Sequence, residues 1–280
     1  DAAAVDAMRT AFNAVDFKGR VVIGEGERDE APMLYIGEEV GTNNGPEIDI
    51  ALDPLEGTTL TAKAMANALA VLAIAPRGGL LHAPDTYMDK VAVGPGYPDG
   101  IISLDATPAE NITALAKHKG VPVSEMTACV LDRPRHEEII ASLRGVGARI
   151  ALITDGDVAG IIATTDPQTG IDFYVGSGGA PEGVLAAAAL KCVGGQMYAR
   201  LVFRNDDEKK RATRVGITDF GRTYSLNELA SGETVFCATG VTNGSLLDGV
   251  KHGAGRVHTH TLVMTSTDGM VRHVRSDRKA

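Results

Sequence analysis

The sequence has no tryptophan, only 4% aromatic residues and three cysteines among 280 residues. So few aromatics argue against a protein-docking surface built on aromatic anchors. Cys129, Cys192 and Cys237 are odd in number, widely spaced and set among apolar neighbours, so neither a disulfide framework nor a Cys-x-x-Cys redox or zinc motif is available. Buried cytoplasmic thiols are the expectation. The longest apolar runs, Ala68 to Ala75 and Val184 to Leu190, fall far short of the roughly 20 residues of a membrane span. No cationic stretch leads into an apolar one as in a secretory signal. The chain starts at Asp1 rather than Met, so native sequence ahead of Asp1 is expected. Basic residues are outnumbered, 27 Lys and Arg against 36 Asp and Glu, and a net charge of −9 makes nucleic acid a poor partner. The densest basic cluster, Lys209 to Arg211, follows Asp206 to Glu208 and reads as an exposed helical face of mixed sign.

What the chain has in abundance is glycine, 33 residues, and short apolar runs that alternate with helical patterns. Val5, Met8, Ala11, Phe12 and Val15 recur at helical spacing. Arg20 to Ile23 reads as a strand that breaks at Gly24, and Ile48 to Leu52 as a second that ends at Asp53-Pro54. Ala64 to Ala75 is apolar and fits either type. Pro76 to Gly100 reads mostly as loop or edge strand because Gly and Pro punctuate it. From Met126 a unit repeats: strand, polar turn, helix. Thr127 to Leu131 leads through Asp132-Arg-Pro-Arg135 into a helix from about His136 to Arg144. Ala148 to Ile153 leads through Asp155-Gly-Asp157 into a short helix. Ile171 to Val175 leads through a glycine-rich turn into a helix opened by Pro181 and closed by Gly194-Gly195. Alternation of this kind argues for a layered α/β sheet with ligands beyond the carboxyl ends of the strands. The expected division is an acidic half, 1–122, and an α/β half, 123–280.

Two acidic constellations and two turns carry candidate chemistry. In Gly24-Glu-Gly-Glu-Arg-Asp-Glu30, four carboxylates crowd into six residues after a strand. The segment is either a solvated turn or a site where a hard divalent cation offsets the repulsion. In Asp53-Pro-Leu-Glu-Gly-Thr-Thr59, Asp53 and Glu56 can face one ion, or the segment is an Asp-Pro turn with a threonine cap. Arg133 and Arg135 flank Pro134 between a strand and a helix, and guanidinium forks suit phosphate oxygens. Asp155 and Asp157 flank Gly156 and either cap a helix or accept from sugar hydroxyls. His258 and His260 share a strand face, where such a pair is more often structural than metal-binding.

Asp-Pro-Leu-Glu-Gly-Thr at 53 to 58 resembles the signature of the lithium-sensitive, metal-dependent phosphomonoesterases. With Val-Val-Ile-Gly-Glu-Gly-Glu at 21 to 27, Asp-Glu-Ala-Pro-Met-Leu-Tyr at 29 to 35, Ala-Pro-Asp-Thr-Tyr-Met at 83 to 88, Arg-Pro-Arg-His at 133 to 136, Asp-Gly-Asp-Val-Ala at 155 to 159 and Gly-Gly-Ala-Pro-Glu-Gly-Val at 178 to 184, the chain is similar to class II fructose-1,6-bisphosphatases over nearly its whole length. The resemblance implies a layered αβαβα sugar-phosphatase fold with the site at strand carboxyl ends between two halves. It implies Mn2+ or Mg2+ held by Asp1 and Glu25 and by Asp53, Glu56 and Glu182. Substrate contacts would come from Glu56, Gly57, Thr58, Tyr87, Arg133, Pro134, Arg135, Asp155, Gly156, Asp157 and Gly179, with Thr58 and Asp29 as catalytic helpers. The Gly-Arg-Gly-Asp-Lys segment that such chains carry ahead of the Asp1 position is absent from this sequence.

The expected activity is hydrolysis of the 1-phosphate of D-fructose 1,6-bisphosphate, in gluconeogenesis. Alternatives are sedoheptulose-1,7-bisphosphatase activity in addition or instead, an inositol phosphate as substrate, or a non-catalytic sugar-phosphate-binding regulator. The expected protein is a cytoplasmic homo-oligomer, a dimer or tetramer, with no nucleic acid or membrane partner.

Overall fold

The computed structural model describes residues 2–25 and 34–279. The chain groups into two compact units, residues 1–82 with 230–280 and residues 83–229. Among the described residues it is a mixed α/β protein with eight helices and two mixed sheets. None of these helices is long and apolar enough to cross a membrane.

The first unit opens with α1 (Ala2–Phe12), β1 (Lys18–Ile23), β2 (Glu39–Val40), β3 (Glu47–Glu56), α2 (Thr58–Ala62) and β4 (Leu69–Pro76). Val5 and Phe12 on one side of α1 pack with Phe17, Val21, Ile50 and Leu52 into its core. The 64–75 run, open between helix and strand in the sequence, is largely β4, which lies between β3 and a later strand and buries alternate residues on one face.

The second unit comprises β5 (Tyr87–Val93), α3 (Pro108–Lys119), β6 (Thr127–Leu131), α4 (Glu137–Gly145), β7 (Arg149–Ile153), α5 (Asp157–Ile162), β8 (Phe173–Gly179), α6 (Ala180–Val193), β9 (Gln196–Val202), α7 (Asp206–Arg214), β10 (Thr223–Ser225) and α8 (Leu226–Leu229). The repeated unit of the sequence is β6 to α6, except that the expected glycine-rich turn is not one. Residues 176–179 continue β8 in its pairing with β5, where glycine leaves room for neighbours such as Asp157 beside Gly178, and the strand runs directly into α6. The sheet order is β10-β9-β5-β8-β6-β7, with β6 parallel to both β7 and β8. One expectation fails here: Tyr87–Val93 is neither loop nor edge but a central strand, paired with β8 on one side and β9 on the other. The Gly and Pro residues of 76–100 lie to either side of it and leave the strand itself unbroken. Lys90 is fully buried and compensated within the unit. α6 is buried almost all round, as its unbroken alanine and leucine content requires.

The chain then returns to the first sheet with β11 (Val235–Gly240), β12 (Lys251–Gly253), β13 (Arg256–Thr265) and β14 (Met270–Lys279). β11 pairs with β4, Val235 opposite Ile74, and β13 with β11. This return makes the grouping by contacts differ from a boundary at 122/123, which falls inside the second unit.

Candidate active site

β1 and β3 run parallel, with Ile23 opposite Ala51. Two residues beyond these partners stand Glu25 and Asp53, so the register brings two carboxylates to neighbouring strand ends. Burial, and then the charge of Asp53, pushes the Glu25 carboxyl above its ordinary pKa.

Beyond Asp53 the strand is irregular. Asp53 lies opposite Val71 and Glu56 opposite Leu69, so Pro54 and Leu55 together face the single Ala70. In a regular strand, residues three apart point to opposite faces; the extra residue of this bulge puts Asp53 and Glu56 on the same one. Pro54 is tolerated because it sits in the bulge, past the last residue of β3 that pairs with β1. The Leu55 N–H donates to Asp53 Oδ1 at 2.9 Å, which orients that carboxylate, and Glu56 is buried. Gly57 then adopts a left-handed conformation, φ 83° and ψ 52°, which suits glycine, and occupies the cap position of α2. Thr58 is the exposed first residue of α2, so the capping role weighed for it falls on Gly57 instead.

In the second unit, the parallel strands β6, β7 and β8 end at one edge of their sheet. Tyr87, the first residue of β5, is at the same edge, opposite Gly179 and Val202. Arg133, Pro134 and Arg135 follow β6, with Pro134 opening a single tight turn. Arg133 donates to the Asp132 carbonyl at 3.3 Å. Arg135 donates through Nε and Nη2 to the Ser177 carbonyl, at 3.0 and 2.7 Å. Its guanidinium carbon also lies 4.8 Å from the centre of the Tyr87 ring, and that of Arg204 lies at the same distance. Arg204 is fixed in turn by Glu208, which accepts from its Nε and its backbone N–H, both at 2.7 Å, and from Thr86 Oγ1 at 3.0 Å. These bonds, led by that of the Arg204 side chain, pull the Glu208 carboxyl down to about 2.

β6 and β8 pair only through Ala128 with Phe173 and Cys129 with Tyr174. Past that point a buried imidazole joins them. Ser177 N–H donates to His136 Nε2 at 2.8 Å, so the ring hydrogen is on Nδ1, which donates to the Leu131 carbonyl at 2.7 Å. Burial lowers the His136 pKa and keeps the ring neutral. In α/β sheets ligands bind beyond the carboxyl ends of the strands, and this imidazole fixes two of those ends.

Asp155 follows β7, half-buried, and accepts from the Gly156 N–H at 3.2 Å. Gly156, left-handed at φ 80°, caps α5, so the capping weighed for Asp157 is not made. The Asp157 carboxylate is buried and bonded to Lys90 Nζ at 2.5 Å. Gly179 caps α6, with Pro181 and Glu182 in the first turn. Asp1 and Asp29 lie outside the described residues. Lys90, His136, Arg204 and Glu208 were not picked out by sequence reasoning; the signal for His136 was its place directly after Arg-Pro-Arg.

Residues 1–278 match the family described as bacterial fructose-1,6-bisphosphatase, glpX-encoded. The chain belongs to that family. It is 45% identical over 286 residues to the D-fructose 1,6-bisphosphatase class 2/sedoheptulose 1,7-bisphosphatase of Prochlorococcus marinus strain NATL1A, covering 97% of this chain and 85% of the relative. It is 44% identical to the proteins of the same name from strains MIT 9301 and MIT 9215, covering 97% of this chain and 86% of each. It is therefore a phosphoric monoester hydrolase of the class II fructose-1,6-bisphosphatase type. The divalent metal that the family implies fits the residues present. Glu25, Asp53 and Glu56 offer hard oxygen donors, and the burial and the Asp53 charge that raise the Glu25 pKa are both of the kind a bound cation offsets.

Proposed function

We propose that the protein hydrolyses the 1-phosphate of D-fructose 1,6-bisphosphate to fructose 6-phosphate and orthophosphate, with Asp53, Glu56 and Glu182 serving one divalent ion, Mn2+ or Mg2+, and Asp1 and Glu25 another. The observation that carries the reading is the bulge at 53–56 in a chain that matches the family from end to end. Bound metal would neutralise phosphoryl charge and acidify water.

The side chains supply the rest. Arg133 and Arg135 take the remote phosphate, and stacking on Tyr87 together with the Ser177 carbonyl sets the plane of the Arg135 fork before substrate arrives. Asp155 accepts from a sugar hydroxyl, while the backbone around Gly156 and Gly179 shapes the turns around it. Thr58, exposed at the start of α2, orients the attacking water, and Asp29 accepts its proton. As the water oxygen bonds to phosphorus, the bond from phosphorus to the sugar oxygen breaks, and that oxygen takes a proton from solvent to leave as the sugar hydroxyl.

The relatives' double name favours sedoheptulose 1,7-bisphosphate as a second substrate. Phosphate release from both bisphosphates, from their monophosphates and from an inositol phosphate, with Mn2+, with Mg2+ and with chelator, tests this reading. Release from fructose 1,6-bisphosphate that stops in chelator is expected; no release with either metal would leave a sugar-phosphate-binding protein. Residence in the cytoplasm, which the buried free thiols of Cys129 and Cys192 support, and assembly as a homo-oligomer belong to the same reading. Sedimentation measures the latter.

A further inference from the structure

Lys90 is a lysine in the middle of a central strand with no exposed surface. Its Nζ lies 2.5 Å from Asp157 Oδ2 and 2.7 Å from the Gly179 carbonyl. Asp157 is the first residue of α5, directly after the Asp155-Gly156 turn, and Gly179 is the cap of α6, three residues before Glu182. One ammonium therefore bonds to the two turns that carry candidate substrate and metal groups. The Tyr174 hydroxyl, 3.4 Å from the same Asp157 oxygen, completes the network; burial and the nearby carboxylate push its pKa well up, so it remains a donor. The fit leaves no slack: a Cβ on Gly178 would stand 2.0 Å from Asp157 Oδ2.

Nothing in fold stability demands such an arrangement. A buried ion pair is often matched or bettered by apolar residues of similar volume. A charge pair that spans two turns does what apolar packing does poorly, which is to fix direction and distance between backbone groups.

We infer that Lys90 is a positioning residue of this site: by tying the turn after β7 to the start of α6 it holds Asp155 and Glu182 in the geometry that sugar and metal require. The inference rests on the bisphosphatase reading above. Lys90 is fully buried with its ammonium bonded to Asp157 and Gly179, so its effect passes through the groups those turns carry, and losses of about 10- to 100-fold are typical for such supporting partners.

The test compares Lys90→Met with the double variant Lys90→Met, Asp157→Leu. The single variant strands a buried carboxylate and is prone to misfold; the double variant leaves no unpaired charge and should melt near the wild type. Mn2+ affinity is measured by calorimetric titration without substrate, where loss of a sugar contact at Asp157 has no influence. Leu143→Ala, in the core of the same unit, is the control for lowered stability alone. The expected result is Mn2+ affinity about 10-fold or more weaker in the double variant, with a raised KM for fructose 1,6-bisphosphate and no change of Mn2+ affinity in the control. Affinity and KM within twofold of wild type in a stably folded double variant would overturn the inference. Should the wild type itself bind no Mn2+, the metal assignment fails on its own, and the KM of the double variant decides against that of Asp157→Asn, which loses the carboxylate but keeps an acceptor for Lys90: a KM about 10-fold above that of Asp157→Asn supports the positioning role and a KM equal to it overturns it.

Discussion

Glu25 and Asp53 stand two residues past Ile23 and Ala51, which are partners in the parallel pairing of β1 and β3, and the charge of Asp53 helps to hold the Glu25 carboxyl above its ordinary pKa. Parallel register has thus placed like charges together at the end of a strand pair, at a cost in stability that a cation would remove.

The first prediction concerns metal removal. In chelator the wild type should lose turnover, and Asp53→Ala and Glu182→Ala should each lose it at any Mn2+ concentration while remaining folded. Glu25→Gln should raise the melting temperature of the metal-free protein at neutral pH. The sign follows from the raised pKa: the folded state favours protonated Glu25, so its contribution worsens as pH rises above the unfolded value. A Glu25→Gln variant that melts lower than wild type in chelator would contradict the repulsion.

The arginines should separate binding from chemistry. Arg133→Ala and Arg135→Ala are expected to raise KM about 10-fold or more with a smaller effect on kcat, because a remote phosphate is held alike in ground and transition states. Arg135→Lys should restore little, since a lysine cannot keep both bonds to the Ser177 carbonyl and the stack on Tyr87. Steady-state kinetics of the three variants read this directly.

Thr58 is the sharpest test of the chemistry. With Gly57 in the cap position and Thr58 exposed, removing its hydroxyl has little stability to lose. Thr58→Ala should therefore melt with the wild type yet lose roughly 10²-fold in kcat, whereas Thr58→Ser should keep measurable turnover. An alanine variant with unchanged kcat would leave the water to be activated without this residue.

Glu208 sets an acid limit. Its pKa falls from an ordinary 4.5 to about 2 on folding, led by the bond with Arg204. A depressed carboxylate contributes stability above its unfolded pKa and loses it as pH drops toward the folded value. Stability should consequently fall between about pH 4.5 and pH 2, with Arg204 released from Tyr87. Glu208→Gln should flatten that part of the curve; denaturation midpoints against pH for the two proteins show it.

Much of this was readable along the chain. Thr127 to Leu131 was placed to the residue as β6, and the turns after β6 and β7 were located because each strand and helix there declares itself by local periodicity; the glycine-rich 176–179 looked like a turn but pairs with β5 as the end of β8. Acidic residues at strand ends were legible for the same reason. Long-range compensation was not. Nothing near Lys90 in sequence says that a carboxylate 67 residues away will pair with it, and the Gly and Pro around β5 made the region look like loop or edge. The grouping of 230–280 with the first unit depends on Val235 meeting Ile74, a pairing set by tertiary packing and by no local signal. His136 and Arg204 were hidden likewise, since their partners Ser177 and Tyr87 come from other strands.

The bulge in β3 also bears on insertions and deletions. Strand segments ordinarily tolerate loss of two residues better than loss of one, because two preserve which side each residue faces. Between Asp53 and Glu56 that rule is inverted for function. Deleting either Pro54 or Leu55 would regularise the pairing with β4 and leave the two acids two apart, still on one face, whereas deleting both would make them neighbours on opposite faces. In a randomised library, clones that release phosphate should therefore include strands shortened by one residue between these acids and lack those shortened by two.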